Sequence, residues 1–406
     1  MALQDSLQSS QEQARPWVET PLRESYALSQ AAGCRIFLKL ENLQPSGSFK
    51  SRGIGNYILA RLSELPPTLT TTPHIFCSSG GNAGLAAVHA SRTLNLPCTV
   101  VLPTTIKPLM VHRIKAAGAH AVLQHGNAWA DADRYMREEV MPHAGPGAIY
   151  TPPFDHPDIW EGNASVMHEI ARQMPDGELP DVIICSVGGG GLLNGIMQSL
   201  DSLPSPPSSP SNKKEPKHPT IIGLETLGAD SLNASLKANT LLTLPRITSL
   251  ATSLGCARVT PQTLAYARRP NVVSAVLPDA EAAMGCWRLA DDEGMMVELA
   301  CGVNVALCYD GRLERVLGRK MRADEKVVVV LCGGSNVTVD MLAGWRREYG
   351  FLEDGRWRGD GSEEKEDESV AVVVVGGDDR KEQERKKRWG EDESGAHEIF
   401  ALSAKL

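Results

Sequence analysis

No Cys-x-x-Cys pair occurs among the nine cysteines of this 406-residue chain, which excludes the paired-thiol redox motif. Several of them, including Cys77, Cys185 and Cys332, lie in or beside apolar runs that read as buried strands, as expected for reduced thiols of a cytoplasmic protein. No apolar run reaches the roughly 18 residues that a membrane helix requires. Met1 to Glu19 is polar and contains acids. It lacks the apolar core of a secretory signal and the arginine-rich amphipathicity of a transit peptide. A clustered basic face is also missing: the net charge is −8 and the isoelectric point is near 5.7, so small metabolites are expected as partners rather than nucleic acid.

What is present is a 42% hydrophobic chain, long enough for two α/β domains. Short β-branched runs recur between helical stretches, at residues 35–40, 74–77, 98–102, 119–123, 182–185, 220–224 and 326–331. Their mostly apolar character suits central strands covered on both faces, which predicts open, mainly parallel twisted sheets with helices on both faces. Residues 202–219 are crowded with Pro, Ser and Lys and read as an exposed insertion. From 346 to 406 the composition turns charge-rich, so a largely disordered tail is expected, with Val370 to Val375 as a possible edge strand or aggregation hazard.

Lys50 stands in Ser46-Gly47-Ser48-Phe49-Lys50, and a lysine amine forms a Schiff base with a carbonyl when its neutral form is favoured. Alone it would be read as a solvated surface charge. Glycine-rich turns follow three of the strands, where open α/β sheets bind ligands. Gly188-Gly189-Gly190-Gly191 enters a helix after a buried strand, an arrangement that lets backbone N–H groups converge on a phosphate; a flexible connector is the plain alternative. It is not a P-loop, because no Gly-Lys-Ser/Thr follows. Ser78-Ser79-Gly80-Gly81-Asn82-Ala83-Gly84 offers hydroxyls and an amide for a carboxylate and an aromatic oxygen, or simply a helix cap. Cys332, before Gly333-Gly334, fits either a weak donor to a ring nitrogen or a structural thiol.

Taken in order, these four motifs resemble the L-serine/threonine dehydratases of the tryptophan-synthase-β-like pyridoxal phosphate fold. Pro152-Pro153-Phe154-Asp155, Ile159-Trp160-Glu161-Gly162, Glu225-Thr226, Gly228-Ala229, Leu244-Pro245 and Ile247-Thr248-Ser249 extend the similarity from about Thr20 to Trp345. The resemblance implies a large cofactor-binding domain of residues 1–43 and 152–345 and a small domain of 44–151. It implies that Lys50 carries pyridoxal 5'-phosphate as a Schiff base, Phe49 packs on the pyridine ring, Asn82 bonds the ring hydroxyl, Gly188 to Gly191 with Leu192 hold the phosphate, and Cys332 faces the ring nitrogen. Ser79, Gly80, Gly81, Asn82, Ala83 and Phe154 would contact the substrate. Gly188, Glu225, Ala229, Ser231, Leu254 and Cys256 would bind a monovalent cation, for which hard oxygen ligands suit potassium; Glu225 read alone is better taken as a helix-terminal or salt-bridged acid. The implied reaction is deamination of L-serine to pyruvate and of L-threonine to 2-oxobutanoate, in a homodimer.

Three other readings remain open: a serine racemase, a cysteine-synthase-like β-replacement enzyme, and a non-catalytic cofactor- or metabolite-binding relative. The racemase pattern places a hydroxyl where this chain has Gly80, and the synthases usually place a serine or threonine where it has Cys332. The intact Lys50 argues against a non-catalytic protein. Gly80 also departs from the alanine of dehydratase relatives, and the smaller residue is expected to widen the substrate pocket.

Overall fold

The computed structural model describes residues 15–202 and 218–353 and the strand at 373–375. The runs β1 (Leu22–Ser25), β2 (Arg35–Lys39), β3 (His74–Cys77), β4 (Cys98–Leu102), β5 (Ala121–Gln124), β6 (Ala148–Tyr150), β7 (Val182–Ser186), β8 (Thr220–Thr226), β9 (Val272–Leu277), β10 (Lys326–Val330) and β11 (Val373–Val375) form two sheets. One has seven strands in the order β1-β2-β10-β7-β8-β9-β11, and the other has four in the order β5-β4-β3-β6. Only the outer pairs β1/β2 and β9/β11 are antiparallel. All seven apolar runs anticipated as strands are strands, and the mainly parallel architecture holds.

Period-two alternation explains how one sheet builds two cores. In the seven-stranded sheet Leu38, Ile184, Ile222 and Val329 face one way, packing on Ala282, Ala283 and Cys286 of helix Asp279–Glu293 and on Cys301 and Val303 of helix Leu299–Ala306. Ile183, Cys185, Ile221, Val328 and Val330 face the other way, against Val166, Met167 and Ile170 of helix Pro157–Gln173 and Leu193, Ile196 and Met197 of helix Gly191–Ser202. Each such aliphatic side chain contributes about 1.5–3 kcal/mol by leaving water. The smaller sheet repeats the scheme, with Ile75, Cys77 and Val100 against helix Asn82–Thr93 and Phe76 and Val101 against Ala132 and Met136.

The turns after β3, β7 and β10 therefore leave the carboxyl ends of central strands and meet beside the helix Lys50–Glu64. The nine cysteines are free thiols, all buried except the half-buried Cys256. Among the described residues, no helix is long and apolar enough to cross a membrane.

Two boundaries differ from expectation. A charged tail beginning at 346 would cut the helix Val339–Tyr349, whose Trp345 is buried. Arg346 is its solvent face, paired with Glu353 at 2.9 Å; a charged helix face reads in the sequence like the start of a solvated tail. Of the valine run, Val373 to Val375 pairs with β9 as an edge strand. Most of the insertion, residues 203–217, and of the tail, residues 354–372 and 376–406, lies outside the described residues.

Candidate active site

Lys50 opens its helix, and its position is fixed from two sides. Two residues on, the fully buried Arg52 grips Glu41 with both Nε and Nη2 at 2.7 Å and Glu169 with Nη1 at 2.6 Å. Lys39 Nζ donates to Glu169 at 2.6 Å and to the carbonyl of Thr20 at 2.6 Å, so two cations and two anions satisfy one another below the site. Above, backbone atoms join the lysine loop to the turn after β10. Ser48 forms a β-bridge with Gly333, Phe49 N donates to Cys332 O at 3.2 Å, and Gly334 N donates to Gly47 O at 2.9 Å.

The Lys50 Nζ donates to the carbonyl of Pro153 at 2.7 Å and lies 5.2 Å from the centre of the Phe49 ring and 6.0 Å from that of Phe154. Loss of water around it lowers the pKa of the amine to about 8, and the thiols of Cys256, Cys77 and Cys332 oppose this only weakly. A neutral, nucleophilic amine is thus accessible near physiological pH.

The Gly188 to Gly191 turn leads into helix Gly191–Ser202, with Leu192 buried in its first turn. Gly190 has φ +95°, and a Cβ there would stand 1.9 Å from Thr263 Oγ1; at Gly189 it would stand 2.3 Å from the Phe154 ring. Only glycine lets the main chain run this close to its surroundings. Thr260 N and Thr263 Oγ1 hold the Gly189 carbonyl at 3.2 and 3.4 Å. Ser186 Oγ and Cys332 Sγ lie 3.3 Å apart in the buried base of the cleft.

On the other wall, Gly81 caps helix Asn82–Thr93, Ser79 Oγ accepts from Gly81 N at 3.3 Å, and Ala83 is buried behind them. Asn82 has both ends of its amide engaged: Nδ2 donates to Glu298 Oε1 at 2.8 Å and Oδ1 accepts from Ser335 N at 3.0 Å. Gly80 does not widen the pocket as anticipated. A Cβ on it would fall 2.5 Å from Ile106 Cδ1 and 3.2 Å from Leu102 Cδ2, so the space freed by the missing side chain is already filled with aliphatic carbon.

Glu298 is the site residue that the motifs did not reveal. It is 3% exposed, and its one sequence signal is an acid isolated inside the apolar stretch Met295 to Leu307. Burial raises its pKa, against the hydrogen bonds from Ser253, Asn336 and Asn82.

Glu225, the anticipated cation ligand, is buried and accepts Leu232 N and Asn233 N at 2.8 Å each. It thus caps the short helix Ser231–Lys237 as the plain reading had it, and burial holds its pKa well above the carboxylate range. Ser231 Oγ, six residues on, is buried with no hydrogen-bond partner among the described residues, and Ala229 is buried too. Leu254 N and Cys256 N bond back to Ala251 O and Leu254 O, and Gly188 packs on Leu254 and on Ser253 O.

The pocket suits a flat, phosphorylated aldehyde: an amine of lowered pKa at one end, a glycine turn into a helix at the other, an aromatic face between them and an amide donor beside it. A cradle and an amine so placed define an α/β enzyme that works through a carbonyl cofactor. The model described as pyridoxal-phosphate dependent enzyme matches residues 15–333, and the chain belongs to that family. It is 40% identical over 332 residues to the catabolic L-serine/threonine dehydratase of Saccharomyces cerevisiae, covering 80% of this chain and 89% of that one. To the serine dehydratase-like protein of Rattus norvegicus it is 41% identical over 325 residues, 80% and 92% of the two chains. The crystal structure of a fungal L-serine ammonia-lyase from Rhizomucor miehei superposes with a TM-score of 0.71 at 31% identity, covering 82% of this chain and 99% of that one.

Proposed function

We propose that this pyridoxal-phosphate enzyme is an ammonia-lyase that deaminates L-serine to pyruvate and L-threonine to 2-oxobutanoate. The observation that carries the reading is the placement of the Lys50 amine, hydrogen-bonded to the Pro153 carbonyl between the Phe49 and Phe154 rings, where burial lowers its pKa to about 8. Dehydratases of serine are the sequence relatives at about 40% identity, which supports the same substrate class.

Lys50, Phe49, Asn82, Cys332 and the backbone of Gly188 to Leu192 hold the cofactor, which when bound supplies the carbonyl and the electron sink. Lys50 then serves as the base at the substrate Cα, a role its lowered pKa permits near neutrality. Ser79, Gly81 and Asn82, at the start of a helix, bind the substrate carboxylate. Phe154 and Phe49 keep water from the reacting face. Cys332 is a poor proton source for a ring nitrogen, which favours prompt loss of the β-hydroxyl over amino transfer. Residues 44–151 form the small domain and 1–43 with 152–345 the large one. Potassium binds near Glu225 and the unpartnered Ser231 Oγ, with Gly188, Ala229, Leu254 and Cys256 contributing carbonyls. The protein acts in the cytoplasm as a homodimer.

Racemisation needs an acid or base on the second face of Cα; Gly80 offers none, and Ile106 occupies that space. The test is direct: the purified protein, incubated with L-serine, releases pyruvate, and Lys50→Ala abolishes both this and the visible absorbance of bound cofactor. D-serine without pyruvate, or sulfide-dependent cysteine formation, would overturn the reading.

A further inference from the structure

Asn82 holds one amide hydrogen on Glu298 Oε1 at 2.8 Å, and its Oδ1 is pinned by Ser335 N at 3.0 Å. Its second amide hydrogen has only a 3.5 Å contact with Ser253 Oγ. Glu298 Oε2 is in turn fixed by Asn336 N at 2.8 Å. Both oxygens of this buried side chain accept, which a carboxylate does and an amide cannot. The surrounding backbone is shaped to admit it. Gly334, at φ +107°, would carry a Cβ 2.1 Å from Glu298 Cδ and 2.5 Å from Oε2.

We infer that Glu298 is a positioning residue: it locks the Asn82 amide with its spare N–H directed at the ring hydroxyl of the cofactor. The inference rests on the proposed contact between Asn82 and that hydroxyl and deepens it. With a glutamine at 298, the Asn336 N–H keeps the oxygen, so an NH2 group faces the Asn82 Nδ2. Two donors then oppose each other, and Asn82 can relieve this only by turning its own NH2 toward the Ser335 N–H. The amide is frustrated in either orientation.

The charged and titratable groups facing Glu298 come from several elements. Arg113 lies on the helix Pro108–Ala116 and bonds the carbonyls of Ser335 and Val337; Cys286 lies on helix Asp279–Glu293, and Lys107 lines the same cavity. Separately, replacing the Glu298 carboxylate with a neutral group removes a nearby negative charge, which lowers the proton affinity of anything close to it. That effect is opposite in sign to the loss of a donor from the ring oxygen, and the two are therefore separable.

The experiment is a pH titration of the visible band of the cofactor-loaded protein, for the native chain, Asn82→Ala, Glu298→Gln and the double variant. Loss of a donor to the ring oxygen makes its proton harder to remove, so Asn82→Ala is expected to raise the midpoint by roughly tenfold in proton affinity. Glu298→Gln is expected to raise it by about three- to tenfold. In the Asn82→Ala background the same change is expected to give no rise, since no amide remains to misalign. If Glu298→Gln leaves the midpoint in place or lowers it while Asn82→Ala raises it, the side chain acts only as charge or packing and the inference fails. A rise from Glu298→Gln that persists without Asn82 overturns it too. If Asn82→Ala itself moves nothing, the contact between Asn82 and the ring hydroxyl is what fails. Should Glu298→Gln not fold, Glu298→Asp reads the same coupling, because its shortened carboxylate draws back from Asn82; it is expected to raise the midpoint in the native background alone.

Discussion

A lysine that hydrogen-bonds a carbonyl has no anion to hold its proton, and for Lys50 the consequence can be read in the kinetics of cofactor capture. Burial brings its pKa down to about 8, so the neutral amine is scarce at pH 6 and abundant above 8. The rate at which cofactor-free protein regains the visible band with added pyridoxal phosphate is expected to climb about tenfold per pH unit below that midpoint and level off above it. A profile still rising at pH 10 would mean an ordinary solvated lysine. In the glycine turn proposed to hold the phosphate, Gly190→Ala places a Cβ 1.9 Å from Thr263 Oγ1 at φ +95°. The strain of roughly 1–3 kcal/mol is expected to weaken cofactor binding by about 5- to 150-fold, measured from absorbance during dialysis. Ser79, Asn82, the glycines and Cys332 were legible as residues because turns after apolar runs announce strand ends. Glu298 was not: a single acid before a helix carries no spacing, and only the fold brings it to Asn82, 216 positions away.

Among the elements, the helix that begins at Lys50 depends on charges sealed beneath its first turn. Arg52→Ala would leave Glu41 and Glu169 buried without their common cation, with an expected loss of about 3–5 kcal/mol in urea unfolding. Burial raises the pKa of Glu169, but the hydrogen bonds and charges of Arg52 and Lys39 outweigh it and hold the carboxyl below its usual range. A depressed folded pKa contributes stability above the unfolded value, and that contribution is lost as pH falls through the folded one. Acid unfolding below about pH 4.5 is therefore expected to be steeper in the native chain than in Glu169→Gln. Strands were legible where branched residues run unbroken. β9 escaped because Ser274 and Ala275 interrupt its valines, β1 because Leu-Arg-Glu-Ser offers a single apolar residue and no apolar alternation, and β6 because three residues give no period.

At the scale of the whole molecule, β11 covers the outer edge of β9, with Val374 opposite Ala275. An uncovered edge strand pairs with other chains, so a truncation after residue 353 is expected to keep the visible band and activity within about twofold while self-associating in sedimentation. Because the cofactor binds the native state, adding it at a hundred times its dissociation constant should add about 2.7 kcal/mol and raise the melting temperature by several degrees, a rise that Lys50→Ala would shrink.

The splice between the lysine loop and the β10 turn is made entirely of main-chain atoms: Ser48 with Gly333, Phe49 with Cys332, Gly47 with Gly334. Its dimensions therefore do not depend on which side chain projects at 332. A substitution at 332, where the buried Sγ lies 3.3 Å from Ser186 Oγ, would change the chemistry offered at that point while the backbone splice keeps Lys50 in register. Catalytic character and catalytic geometry are inherited separately here.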